Sequence, residues 1–274
     1  MKETLPTTPV LKGDFLFKNK TGVLHLKFNG KKYLSWLYRA AALLVLLNIV
    51  AIVSKHFTSH PNAWGLIPQF ELDRERNIPT YFSSFILLLS SLLLFIVSVL
   101  KKRRQGKYTW HWRLLAFIFL YMSVDESAGV HEMFIYPLRD TFALGGVLYF
   151  SWVIVGGMLV LGLGLYYLRF LFSLAPKLRL KLMLAGVVYV SGALGVELLG
   201  GYYADTYGLD NFTYAFITTI EETLEITGIM IFITALYIYL EQELSSLRFN
   251  IGSGEAGAGT GGSSYLKVVR QWRG

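Results

Sequence analysis

Residues 79–100, PTYFSSFILLLSSLLLFIVSVL, contain no charged side chain. A bilayer core about 30 Å thick needs roughly 20 mostly apolar residues per helix. This stretch meets that need, with Pro79 at a favourable first-turn position. Five other segments come close to the same standard, at about 33–54, 112–136, 143–173, 180–203 and 213–241. The whole chain is 54% hydrophobic and 16% charged, against about 25% charged in an average soluble domain. The expected fold is therefore an all-α integral membrane protein, a bundle of about six transmembrane helices over residues 33–243.

The two ends read as appendages. Residues 1–32 form a basic arm in which FLFKNKTGVLHLKFNG alternates Phe15 and Phe17 with Leu24, Leu26 and Phe28 around a turn, the pattern of a small β-hairpin. Residues 244–274 include GSGEAGAGTGGSS, the composition of a flexible tail. No cleavable signal pattern is expected in the Lys-rich start. The chain has no cysteine, which excludes disulfides, thiolate metal sites and cysteine nucleophiles.

The formal net charge of +8 is concentrated in a few flanking segments, so it argues for membrane topology and not for nucleic acid. Seven lysines lie in the arm, KKRRQGK follows the second span, and Arg169, Lys177, Arg179 and Lys181 follow the fourth. Arg248, Lys267, Arg270 and Arg273 close the chain. Counting Lys and Arg places both termini in the cytoplasm and loops one, three and five outside. Membrane lipids are the expected surroundings.

The third span breaks this apolar pattern with SVDESAGVHE, residues 123–132. Each acid at a helix centre costs about 2.5–3.5 kcal/mol on insertion scales, so a short or re-entrant third segment stays open. Between Leu182 and Leu247 there is no Lys or Arg, while Glu197, Glu221, Glu222 and Glu225 fall within spans five and six. At about 1.5 Å rise per residue, Asp125, Glu197 and Glu221 to Glu225 share a depth in the outer half of the membrane. Thr218, Glu221, Glu222 and Glu225 also share one face of span six at about 100° per residue. Glu197 sits on a stripe with Gly186, Ala193 and Gly201, small residues that let a neighbouring helix approach. The segments LDRERNIPTYF and LDNFTYAF share a faint pattern, a hint that both loops dip toward the same place.

Three agents can neutralise such acids: shared protons, the outer-loop arginines Arg74, Arg76 and Arg139, or a bound cation. Carboxylates with one imidazole suit Mg, Mn, Ca, Fe or Zn. The expected divalent-metal ligands are Asp125, His131, Glu132, Glu197, Glu221 and Glu225, with Glu126 or Glu222 as general base on a metal-bound water. Neither a repeated Glu-x-x-His nor a His-Glu-x-x-His is present. His111 and Tyr214 read as interfacial aromatics, Ser83 and Ser84 as serines bonded within their own helix, and Asn48 as a polar group paired with a neighbouring helix.

At ELDRERNIPTYFSS, MSVDESAGVHE, GALGVELLGGYY and EETLEITG the chain resembles a family of uncharacterised bacterial polytopic membrane proteins, over about residues 65–240. The resemblance implies a shared membrane scaffold in a bacterial inner membrane and no assigned activity. Three functions stay open. One is a metal-dependent intramembrane hydrolase or oxidoreductase acting on a lipid-soluble substrate. The second is a transporter that uses the same acids for an inorganic cation or protons. The third is an assembly protein whose acids fix helix packing. The absence of proline inside the spans and of a clear inverted repeat weighs against the transporter.

Overall fold

The structure, a computed structural model, describes residues 30–58, 62–245, 248–250 and 267–269. Eight α-helices make up most of it: α1 Gly30–Phe57, α2 Ile78–Arg103, α3 Thr109–Ala128, α4 Ile135–Phe142, α5 Trp152–Ser173, α6 Pro176–Val190, α7 Glu197–Tyr207 and α8 Phe212–Ser245. Helices α6 and α7 are joined without a loop by a π-helical stretch, Ser191–Val196, so Pro176–Tyr207 forms one 32-residue span. Among the described residues five helices are long and apolar enough to cross a membrane.

The third expected span is not a straight helix. Its acidic motif breaks it, and Thr109–Ala128 meets His131–Phe142 at a bend of 75°. The break is local chemistry: Gly129 takes φ +57°, a left-handed conformation that ends α3 with a backbone bond to the Asp125 carbonyl. The fourth span is shorter than expected, because the chain is irregular until Trp152. The β-hairpin expected over residues 15–28 lies outside the described residues, as does the Gly-rich run at 252–263. The described strands are a single antiparallel pair, Arg248–Asn250 with Lys267–Val269. They belong to a compact unit separate from the helical body, which spans Ser35–Leu240.

Within the body, polar side chains bond across helices where the bilayer offers no water to replace such bonds. Ser84 donates to the Ser123 carbonyl (2.7 Å) and Ser123 to the Ser84 carbonyl (2.8 Å), while Ser91 donates to the Ala116 carbonyl (2.7 Å). These three bonds fasten α2 to α3, and Ser84 thus works between helices and not within its own. Asn48 of α1, 1% exposed, donates to Thr219 of α8 (2.8 Å) and accepts from the Leu72 amide (2.9 Å). One amide therefore joins two helices and the loop after α1. Asn77 caps α2 by accepting from the Thr80 amide (3.1 Å) and turns its own amide to the Glu71 carbonyl (2.6 Å). That loop is consequently held against the bundle.

On the other flank the core packs Trp112, Phe170, Leu182, Phe232 and Leu236 together. His111 stacks on Phe170 and Tyr166 there, and Tyr167 donates to the His111 carbonyl (2.9 Å), so this histidine is part of an aromatic cluster. Helices α6 and α8 meet backbone to backbone at Gly228. A Cβ at that position would lie 2.7 Å from the Tyr189 nitrogen and 2.9 Å from the Ala185 carbonyl oxygen. Gly186, by contrast, has nothing within 4 Å of a Cβ position. Overpacking against rigid atoms costs about 1–3 kcal/mol. Gly228→Val is expected to lower the free energy of unfolding in detergent by that order, and Gly186→Ala to leave it within about 0.5 kcal/mol, both read from unfolding curves.

Candidate functional site

The acidic segments meet because three elements start or stop at the same level. Helix α3 ends at Ala128, α7 starts at Glu197 after the π-helical stretch, and the capped loop before α2 folds in beside them. Between them lies a cavity of about 320 Å³ lined by Asp125, Glu126, His131, Glu132, Glu197, Glu221, Glu222 and Glu225. All eight residues selected from the sequence thus face one space. The loop adds Asp73, Arg74 and Glu75, and the helices add Trp152, Tyr189, Tyr214 and Thr218. Nine carboxyl groups therefore share this chamber with one guanidinium and one imidazole.

Asp125 spends both oxygens on His131. It accepts from the His131 amide (2.8 Å) and bonds its ring Nδ1 (2.9 Å). This clamp spans the break after α3 and leaves Nε2 as the ring atom not bound to Asp125. The Trp152 indole lies edge-on to the His131 ring, with centroids 4.7 Å apart, and its Nε1 donates to Glu197 Oε1 (2.7 Å). Glu197 in turn hydrogen-bonds Glu221. A bond between two carboxyl groups requires a proton on one of them. Tyr189 donates its hydroxyl to Glu225. A line of contacts therefore runs from the end of α3, through the start of α5 and of α7, to the middle of α8.

Glycine makes two of these approaches geometrically feasible. At Gly192, in the π-helical stretch, a Cβ would lie 2.7 Å from the Glu221 carbonyl oxygen, so the segment before Glu197 rests directly on α8. At Gly129 a Cβ would run into the Glu75 carboxylate, so the loop acid enters the chamber over a bare backbone.

The divalent-metal reading is corrected by this geometry. Among the described residues no three or more His, Asp or Glu side chains are placed to hold one metal ion. The donors are dispersed and engaged: Asp125 with His131, Glu197 with Trp152 and Glu221, and Glu225 with Tyr189. A metal needs several oxygens converging at about 2.0–2.6 Å, and these side chains line the walls of a cavity instead. The metal-dependent enzyme falls with its site.

Several chamber residues escape sequence reading. Asp73 and Glu75 sit in a loop that looks like ordinary polar sequence, and Trp152 looks like an interfacial aromatic. The signal for the two loop acids is the faint likeness of LDRERNIPTYF to LDNFTYAF. Tyr214 is buried and lines the chamber, not the interfacial belt. Asp73 also lines a second cavity of about 410 Å³ between α1, α8 and the loop, together with Lys55, His56 and Glu71. Glu71 is ion-paired with Arg74 and with Lys55 (3.0 Å).

Asp73 lies outside the helices and presents surface to both cavities. Its depth among protein atoms, with Glu197 and Glu71 nearby and only partly offset by Lys55, pushes its pKa up to about 7 from 3.8. A raised carboxyl pKa means the folded state binds more protons than the unfolded state between those values. Its stabilising contribution is complete below about pH 3.8 and is lost as pH rises through about 7. Asp73→Asn is therefore expected to flatten the fall in unfolding midpoint between pH 5 and pH 8, read by thermal unfolding in detergent across that range.

A family model described as a domain of unknown function (DUF8692) matches residues 36–240, which include every residue of the chamber. No curated protein and no solved structure matches the chain.

Proposed function

The chain belongs to the DUF8692 family, and we propose that it is a multi-pass membrane protein whose carboxylate chamber is the binding site of a proton-coupled carrier for an organic cation. The observation that carries this reading is the imbalance of the chamber, nine carboxyl groups facing one guanidinium and one imidazole. Ionised acids in an apolar bundle need protons or a cation beside them. A site built this way holds protons when empty and exchanges them when a cation enters.

The chain's own residues supply the parts. His131, oriented by Asp125, is the group that trades a proton with the chamber. The Glu197–Glu221 pair stores one proton between two carboxyl groups. Among the described residues Glu126 and Glu222 have neither a hydrogen bond nor an ion pair, so their oxygens are open to an entering cation. Trp152, Tyr189 and Tyr214 offer ring faces of the kind that favour ammonium groups.

The helix breaks favour transport over passive packing. Discontinuous spans at a binding site are a recurring device of carriers, and π-helical turns gather at functional sites. Here the bend after α3 and the π-helical stretch before Glu197 both border the chamber, although no proline interrupts a span. In this reading both termini face the cytoplasm of a bacterial cell, across its inner membrane, and the chamber lies in the outer half of the bilayer.

Proteoliposomes with a pH-sensitive dye inside test the proposal. Tetramethylammonium, which cannot cross as a neutral molecule, is expected on external addition to drive protons out and alkalinise the interior. Glu222→Gln with Glu225→Gln should cut the initial rate about tenfold or more. No pH change with folded, inserted wild-type protein would overturn the carrier.

A further inference from the structure

The chamber does not end at its acids. Met122, Val160, Leu163, Tyr189 and Val190 line it and also line a third cavity, about 290 Å³, that runs on between α3, α5, α6 and α8. This extension is an apolar slot whose walls include Leu115, Phe119, Leu182, Ile229 and Phe232. Its Tyr167 hydroxyl is already spent on the His111 carbonyl. Tyr189 stands at the junction, its hydroxyl bonded to Glu225 and its residue shared by both linings. Polar and apolar halves thus meet at one side chain.

The depth of the slot follows from the helices that wall it. On α3 it extends from Leu115 to Met122, about 10 Å at 1.5 Å per residue, and on α5 from Val160 to Leu171, about 16 Å. The volumes of chamber and slot, about 320 and 290 Å³, together fall in the roughly 300–1,000 Å³ range of small-molecule sites. Two glycines create the space. A Cβ at Gly164 or at Gly186 would meet nothing within 4 Å, whereas one at Gly228, in the same wall, would collide with backbone. Glycine serves close packing at Gly228 and open volume at the other two.

We propose that the ligand of this site is a single-chain amphiphile with a cationic ammonium head, the head held among Glu126, Glu222 and Glu225 and the alkyl chain laid in the slot between α5 and α6. The proposal rests on the carboxylate chamber being a cation site and adds what the cation carries. Charge selects the head: the chamber's carboxyl groups and ring faces suit an ammonium group, and among the described residues Glu126 and Glu222 have no hydrogen bond or ion pair. Shape selects the tail, since a chain of about 10–16 Å fills a slot whose walls offer it nothing but apolar contact. A small cation would leave that slot empty, and a neutral lipid would leave the acids unmatched.

Protection from a hydrophobic carbodiimide, which attacks protonated carboxyl groups, tests this on the full chain in detergent. Adduct on the peptides containing Glu126 and Glu221 to Glu225 is read by mass. Decyltrimethylammonium, kept below micelle-forming concentration, is expected to protect at a concentration at least about tenfold lower than tetramethylammonium does, with decanol giving no protection. Gly164→Leu and Gly186→Leu, which point into open space, should each erase that tenfold advantage. Their unchanged protection by tetramethylammonium reports that the fold and the chamber are intact.

Equal protection by the long-chain and short ammonium ions, or leucine variants that keep the advantage, would remove the chain from the slot and leave the cation site standing. Protection by decanol equal to that by decyltrimethylammonium would overturn the ammonium head. No protection by either ammonium ion would overturn the cation site itself.

Discussion

A carboxyl group in an apolar helix bundle must find a proton or a partner, and the organisation of this protein follows from that requirement. The cost of an unmatched charge exceeds what helix packing returns locally. Scattering the acids over lipid-facing positions would multiply the cost. Gathering them lets protons, one imidazole, an indole and phenols serve several acids at once. The structure takes the second course, with the Asp125–His131 clamp, the Trp152–Glu197–Glu221 chain and the Tyr189–Glu225 bond all opening on one cavity.

Gathering the acids shapes the helices in turn. The clamp by Asp125 closes on a residue six positions later, which a continuous helix would carry away from it, and the chain turns at Gly129 to allow this. The π-helical stretch brings Gly192 against the backbone of α8 immediately before Glu197, placing one acid beside another. Away from the chamber the problem is smaller and the solution simpler. Ser84, Ser91, Ser123 and Asn48 each bond directly across a helix–helix contact. The interior therefore has two polar systems, one bonded directly between helices, the other gathered around the acidic chamber.

Much of this was legible in the chain. Long apolar runs identify five helices of spanning length, because length and hydropathy are local properties. The convergence of Asp125, Glu197 and Glu221 to Glu225 follows from rise per residue and from the absence of any Lys or Arg between Leu182 and Leu247. What escaped depends on dihedral angles and on loops. The bend at Gly129 turns on one positive φ that hydropathy does not register, so residues 112–136 read as a span. Asp73 and Glu75 became wall residues because Asn77 and Asn48 tie their loop down through backbone bonds, and no periodicity announces such bonds. The metal reading erred for a related reason: depth and helical face bring acids to one cavity, but only side-chain geometry decides whether they surround a point or line a wall.

Asp73, Arg74, Tyr214 and Thr218 have surface in both the acidic chamber and its neighbour beside Lys55 and His56. A partition whose side chains face both spaces cannot keep the two independent. Whatever settles on one side repositions or recharges the same atoms that the other side presents. The two cavities are thus linked thermodynamically, and any occupant of one changes the affinity of the other by a factor that must be reciprocal. The mixed-charge space beside α1 then acts as a second input to the acids without touching most of them.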